Sequence, residues 1–169
     1  ELREQAQRDS LTQVYNHGYF LARLNQEAQA ARENGHILAL IMLDIDYFKE
    51  YNDQYGHVVG DQVLETMVQA IRLNVKHSDL VGRWGGEEFG VVLPGADTER
   101  ALIVAERIRT TLASMHLQKD NRAIAPPTVS QGIATLPTHA KDAATLIDLA
   151  DAALYRAKAQ GRDQVRVTE

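Results

Sequence analysis

Two stretches carry carboxylates in settings that invite chemistry. In Asp44-Ile45-Asp46 two acids stand on alternate positions directly after seven apolar residues, 37–43, and alternate positions of a strand share one side. In "RWGGEEFG", residues 83–90, Glu87 and Glu88 follow paired glycines between two strand-like runs. An acid pair beside an exposed turn is ordinarily solvated, and Asp46 has a ready use as the cap of a helix beginning near Tyr47. Asp44 has no such use. If the strand ending at Asp44 neighbours the hairpin, Asp44 and Glu87 converge at one edge of the sheet. Two carboxylates and a main-chain carbonyl then form a hard oxygen site, suited to magnesium bound together with substrate phosphates. Gly85 and Gly86 predict a two-residue turn with positive φ, where a side chain would strain the backbone and where a ligand can approach closely.

The elements that must hold these residues alternate along the chain. Asn16 is placed to cap a helix with the apolar stripe Phe20, Leu21, Leu24, Ala28 and Ala31, stopped by Gly35. The run "ILALIMLDID" reads as a strand buried on both faces, and a short helix follows over about residues 47–54. Three stripes predict core-facing helices: Leu64, Met67, Val68, Ile71 and Val75; Leu102, Ala105, Ile108 and Leu112; Ile147, Ala150, Leu154 and Ala157. "TVSQGIATL" and "QVRVTE" read as further strands, so the order is roughly βααββαβαβ. Hairpins mixed with helical crossovers predict an α+β fold, a mixed, mainly antiparallel sheet flanked by helices.

Composition narrows the function classes. The 169 residues, 44% apolar and without a Pro/Gly/Ser-rich linker, read as one domain over residues 9–169. Residues 1–8 are polar and helix-prone, and read as the end of a linker helix from an upstream domain. A net charge of −5 lacks the basic footprint that neutralises a nucleic-acid backbone, so no nucleic-acid partner is expected. Cysteine is absent, which excludes disulfides and thiolate metal sites and is compatible with the cytoplasm. The seven-residue apolar run is far short of the ~20 residues that a spanning helix needs, and no membrane contact is expected of this domain. The chain opens at Glu1 without methionine, and is read as a piece of something longer.

With these residues in view, the sequence resembles the GGDEF family of diguanylate cyclase catalytic domains. The signature stands as "GGEEF", residues 85–89, with glutamate at the third place. "DIDYFKEYNDQYGHVVGD" (44–61), "ADAALYRAKAQGRDQV" (150–165) and "DSLTQVYN" (9–16) match three further motifs in order and spacing, so the resemblance covers essentially the whole chain. It implies a fold similar to the palm of nucleotide cyclases and polymerases. It also implies condensation of two GTP into cyclic di-GMP with release of pyrophosphate, in a homodimer whose two domains face each other.

Residue roles follow from that resemblance by position. Asp44, the Ile45 carbonyl, Glu87 and, in a role left open, Glu88 match the acids around two divalent cations, magnesium or manganese, per domain. Glu87 is also the candidate general base, although metal ligation and proton acceptance compete for one carboxylate. Strand alternation is expected to point Glu88 away from Glu87. Lys49 matches the residue that stabilises charge on the phosphates, and the main chain at Tyr47 and Phe48 would meet the terminal phosphates at a helix start. Asn52, His57 and Asp61 match substrate contacts. An amide and a carboxylate suit the guanine edge, while helix capping is the alternative for Asn52 and Asp61. Gly85 and Gly86 would admit ribose and phosphate, and Lys158 and Arg162 match C-terminal phosphate contacts.

Some positions depart from the family. Its inhibitory product site is marked by Arg-x-x-Asp, which here is Lys76-His77-Ser78-Asp79, and lysine lacks arginine's two-pronged contact. With Arg107 at the second inhibitory position, product inhibition is expected to be weak or absent. Gln13 replaces a usual glycine, His17-Gly18 a basic pair, and Gln131 an apolar strand residue. The readings that compete are an active cyclase, a nucleotide-binding signalling module without activity, and another nucleotidyl transferase. The retained acids and glycines favour the first, and Asp61 favours GTP. An upstream sensory or receiver domain is expected by analogy, and whether the parent is membrane-anchored stays open. The piece itself is expected to be largely monomeric and slow when dilute.

Overall fold

The computed structural model describes residues 6–169. In chain order its elements are α1 (His17–Asn34), β1 (Leu38–Ile45), α2 (Phe48–Tyr55), α3 (His57–Arg72), β2 (Leu80–Arg83), β3 (Glu88–Pro94), α4 (Thr98–Ala113), β4 (Leu117–Lys119), β5 (Arg122–Ile124), β6 (Val129–Leu136), α5 (Ala143–Ala159) and β7 (Val165–Val167). One sheet has the order β2-β3-β1-β6-β7; the pairs β2–β3, β3–β1 and β1–β6 are antiparallel, and β6–β7 is parallel. That is the mixed, mainly antiparallel sheet expected. No helix among the described residues is long and apolar enough to cross a membrane.

The continuous apolar run of β1 makes it the central strand, and all eight of its residues are buried. Its alternation sorts the helices into two layers. Ala39, Ile41, Leu43 and Ile45 pack with α3 and α4, against Met67, Ile71, Val104 and Ile108. Leu38, Leu40 and Met42 pack with α1 and α5, against Phe20, Leu24, Leu146 and Leu154. Each such aliphatic side chain contributes roughly 1.5–3 kcal/mol when fully buried. Asp44 continues the second series and therefore emerges under α5. That helix lies close: a Cβ at Gly132 of β6 would overlap the backbone of Ala150, Ala153 and Leu154.

Local signals place the helix ends. Asn16 accepts from the Tyr19 N–H at the start of α1, and Gly35 closes it at φ 67°. Leu21, Leu102 and Ile147 flank the buried stripes half-exposed, whereas Val75 lies past the end of α3. The hairpin β4–β5, with Asp120 and Asn121 at positive φ, is an addition to the expected order. The expected helix over residues 1–8 falls mostly outside the described residues; Ala6 and Gln7 lie in a turn, and Arg8 bridges to Tyr15.

Asp46 does not cap α2. That helix starts from Tyr47 in the left-handed region, without a side-chain cap, while the Asp46 carboxylate turns into the protein to bond Thr128, Ser130 and the Asp163 N–H. A buried carboxylate takes the donors that surround it, and here these come from β6 and the turn after α5.

Candidate active site

The sheet brings the two acidic stretches together. Ile45 donates its N–H to the Glu87 carbonyl at 3.2 Å, so the hairpin ends beside the end of β1. In the register of β1 and β3, Asp44 lies directly opposite Glu88, and opposed residues of an antiparallel pair share a face. Glu88 thus stands on the Asp44 side of the sheet, with Glu87 next to it in the turn; the expected separation of the two acids gives way to a shared edge. Burial, joined by the Asp44 charge, pushes the carboxyls of Glu87 and Glu88 above the ordinary range. Burial also raises Asp44, against the opposing pull of Lys158. Lys158, reaching down from α5, forms an ion pair with Asp44. One lysine therefore offsets several crowded acids.

The donors fit a hard divalent cation. Among the described residues no group of three or more His, Cys, Asp or Glu side chains is arranged to hold a metal by itself. Asp44, a neighbouring glutamate and a main-chain carbonyl leave part of a magnesium shell to water or phosphate, which is how magnesium binds with nucleotides.

The glycine turn is held from outside. Strand β2 ends at Arg83 and β3 begins at Glu88, so the connection runs over four residues, and neither Gly85 nor Gly86 has positive φ. A Cβ on Gly86 would meet nothing within 4 Å. The expected reason for these glycines, a strained two-residue turn, is thereby overturned; what they leave is open space over the backbone. Arg83 shapes the turn. Its Nη2 donates to the Gly86 carbonyl at 2.8 Å, its Nε lies 3.3 Å from the Gly85 carbonyl, and its Nη1 pairs with Asp9 at 3.0 Å. His17 bonds the Trp84 carbonyl through Nδ1 at 2.9 Å, and its ring packs at a tilt against the Trp84 ring, centroids 4.2 Å apart. Asp9 and Arg83 stand in two separate motifs and carry no expected role; their pairing spans 74 residues, and no local pattern reveals it.

Further candidate contacts lie at the start of α2, at the junction of α2 and α3, and at the turn after α5. At the start of α2 no side chain caps the first-turn amides, which suits an anion. Between α2 and α3, Asn52 lies half-buried against Gly60: a Cβ there would overlap the Asn52 Oδ1. Asn52 and Asp61 do not act as side-chain caps, since α3 begins after Gly56 without one. His57 and Asp61 are exposed at the same end of α3. At the C-terminal turn Arg162 lies 3.8 Å from Asp46 and stacks over the Tyr47 ring at 4.8 Å.

The sequence matches the family model described as "Diguanylate cyclase, GGDEF domain" over residues 6–164. This chain belongs to the GGDEF family. It is 41% identical over 167 residues to the probable diguanylate cyclase DgcT of Escherichia coli, covering 97% of this chain and 36% of that protein. Its identity to the diguanylate cyclase TpbB of Pseudomonas aeruginosa is 39% over 169 residues, 99% of this chain and 39% of that one. The chain thus spans less than half the length of these relatives. The crystal structure of the GGDEF domain of DgcB from Caulobacter crescentus, solved in complex with c-di-GMP, superposes with a TM-score of 0.91 at 33% identity, covering 96% of this chain and 95% of that one.

Within this GGDEF domain the residues matched to the family divide. Asp44, Glu87, Glu88 and Lys158 gather at the acidic edge, and Tyr47, Arg162 and the start of α2 adjoin it. Lys49 stands apart, almost fully exposed and paired with Asp53 at 2.8 Å. Lys76 and Asp79 line a depression of about 260 Å³ with Arg100, but Arg107 is not part of that lining. The Asp79 carboxylate is occupied by the Lys76 N–H at 2.7 Å.

Proposed function

We propose that this GGDEF domain is a diguanylate cyclase half-site, in which two GTP are joined into cyclic di-GMP with release of two pyrophosphates by a facing pair of domains. In each half-reaction a ribose 3′-oxygen bonds the α-phosphorus of the opposite nucleotide, the α–β phosphoanhydride bond breaks, and the hydroxyl proton leaves. The observation that carries the reading is the convergence of Asp44, Glu87 and Glu88 around the Lys158 amine, beside an open glycine turn and an uncapped helix start.

Asp44, the Ile45 carbonyl and Glu87 would hold magnesium or manganese, two ions per domain, which would polarise the phosphates and lower the pKa of the attacking hydroxyl. Glu87, raised by burial and by Asp44, is the group placed to take the proton. The main chain at Tyr47 and Phe48, together with Lys158 and Arg162, receives the phosphates. Lys49 would leave Asp53 to join them. Asn52 and Asp61 read the guanine edge, and His57 borders the same pocket. Lysine at position 76, which lacks arginine's planar two-pronged contact, supports weak product binding at Lys76 and Asp79.

The test is the product spectrum, by liquid chromatography with mass detection, of concentrated protein incubated with GTP and magnesium. Cyclic di-GMP from the wild type and none from Glu87→Gln is expected. GTP binding without product, under conditions that give dimers, would make the domain a nucleotide-binding module instead.

A further inference from the structure

Asp46 stands two residues from Asp44, yet the chemistry above makes no use of it. It is 1% exposed, and a carboxylate so buried is tolerated only when its lone pairs and its charge are both met. Its oxygens are fully engaged. Oδ2 accepts from Thr128 Oγ1 at 2.6 Å and from the Asp163 N–H at 3.0 Å, while Oδ1 accepts from Ser130 Oγ at 2.7 Å. Its ion-pair partner is Arg162, with Nη1 at 3.8 Å from Oδ1.

The turn it grips is unusual. Gly161, Arg162 and Asp163 have φ of 119°, 63° and 48°, three consecutive residues in the left-handed half of the map, two of them with side chains. Each such non-glycine residue costs roughly 1 kcal/mol or more and persists only where the surroundings over-determine it. The surroundings do so here. Asp46 holds the Asp163 amide, Arg109 of α4 holds the Asp163 carboxylate at 3.1 Å, and the Arg162 amide bonds the Ala157 carbonyl at 2.9 Å. The conformation that results puts the Arg162 guanidinium between the Asp46 carboxylate and the Tyr47 ring, at the start of α2.

We infer that Asp46 is a positioning residue for phosphate binding: it sets the turn that carries Arg162 and so registers the phosphate contact against the strand that carries Asp44. This rests on the assignment of Arg162 to the nucleotide phosphates. The bond to the Asp163 amide fixes the backbone, and the charge on Oδ1 steers the side chain. Asp46→Asn separates the two effects. An amide oxygen in the Oδ2 place still accepts from Thr128 and the Asp163 N–H. An amide nitrogen in the Oδ1 place donates to the Ser130 hydroxyl and no longer attracts Arg162.

The experiment is calorimetric titration of the 169-residue chain, in excess magnesium, with the α,β-methylene analogue of GTP and with GMP. The variants are Asp46→Asn, Arg162→Ala and the double mutant, each melted alongside. Arg162→Ala should lower the preference for the triphosphate over GMP. Asp46→Asn should lower it about tenfold, the scale of weakening one contact to a charged group, with GMP affinity unchanged and the double mutant no weaker than Arg162→Ala. A merely structural Asp46 would instead lower the melting temperature and weaken both ligands alike, which overturns the inference. So does a wild-type preference in Asp46→Asn when Arg162→Ala has lost it, or strict additivity in the double mutant. A wild-type preference in Arg162→Ala removes the assignment on which the inference rests, a separate and recognisable failure. Should Asp46→Asn fail to fold, Thr128→Val removes one hydroxyl from the carboxylate and is expected to shift the preference in the same direction by less; no shift overturns the inference.

Discussion

Glu88 and Glu87 are neighbours in sequence but reach the acidic edge differently, one through strand register with Asp44 and the other from the turn. Burial first, then the Asp44 charge, raises the Glu88 carboxyl, with Asp151 and Glu87 adding to the rise and Lys158 opposing it. A carboxyl raised on folding takes up its proton more readily folded than unfolded. Its ionised form therefore weakens the fold, and stability falls as pH rises from the ordinary carboxylate range through the raised one. Glu88→Gln should raise the melting temperature at neutral pH. Solvent screening limits the gain to about 1 kcal/mol or less, which is at most roughly 2–4 °C in a chain of this length. The gain should disappear in acid, where the wild-type carboxyl is protonated. Melting curves across that range check it; a gain that persists in acid would place its cause outside the charge cluster. Metal binding has the opposite pH dependence: it should weaken as pH falls through the raised carboxyl range, because protons then compete for the ligand oxygens.

Elements decide how far a side chain can be read from its neighbours in sequence. Helix α1 was legible because its cap, stripe and stop are local, and β1 because seven successive apolar residues leave little but a central strand. The hairpin β4–β5 was not, since three-residue strands are too short to show a period, although Asp120-Asn121 carries the turn signal. Asp46 was misread as a cap because local preference points to α2, while its partners lie 82 to 117 residues away. The glycine turn was misread because its shape is imposed by Arg83 and Asp9, from another motif. Gln13, which replaces a usual glycine, sits at φ 66° and so carries the strain that glycine would avoid. Gln131, in a core strand, bonds the Ala105 carbonyl at 2.9 Å and leaves its Oε1 unpartnered. At the junction of α2 and α3, Gly60 makes the room that Asn52 occupies. Gly60→Ala adds a better helix former, worth up to about 1 kcal/mol, and pushes the Asn52 amide aside. The variant should melt no lower than the wild type and bind the GTP analogue more weakly. Wild-type binding would show that Gly60 does not place Asn52.

At the scale of the whole molecule, the described residues carry one acidic edge, one glycine turn and one proposed guanine contact at Asn52 and Asp61, whereas the proposed product needs two equivalent bonds. A symmetric pair supplies both with a single kind of interface. The direct measurement is the initial rate of cyclic di-GMP formation per chain across a range of protein concentrations, with sedimentation giving the dimer fraction at each. Specific activity that rises in step with the dimer fraction is predicted. Constant specific activity where sedimentation shows only monomer would contradict the half-site account.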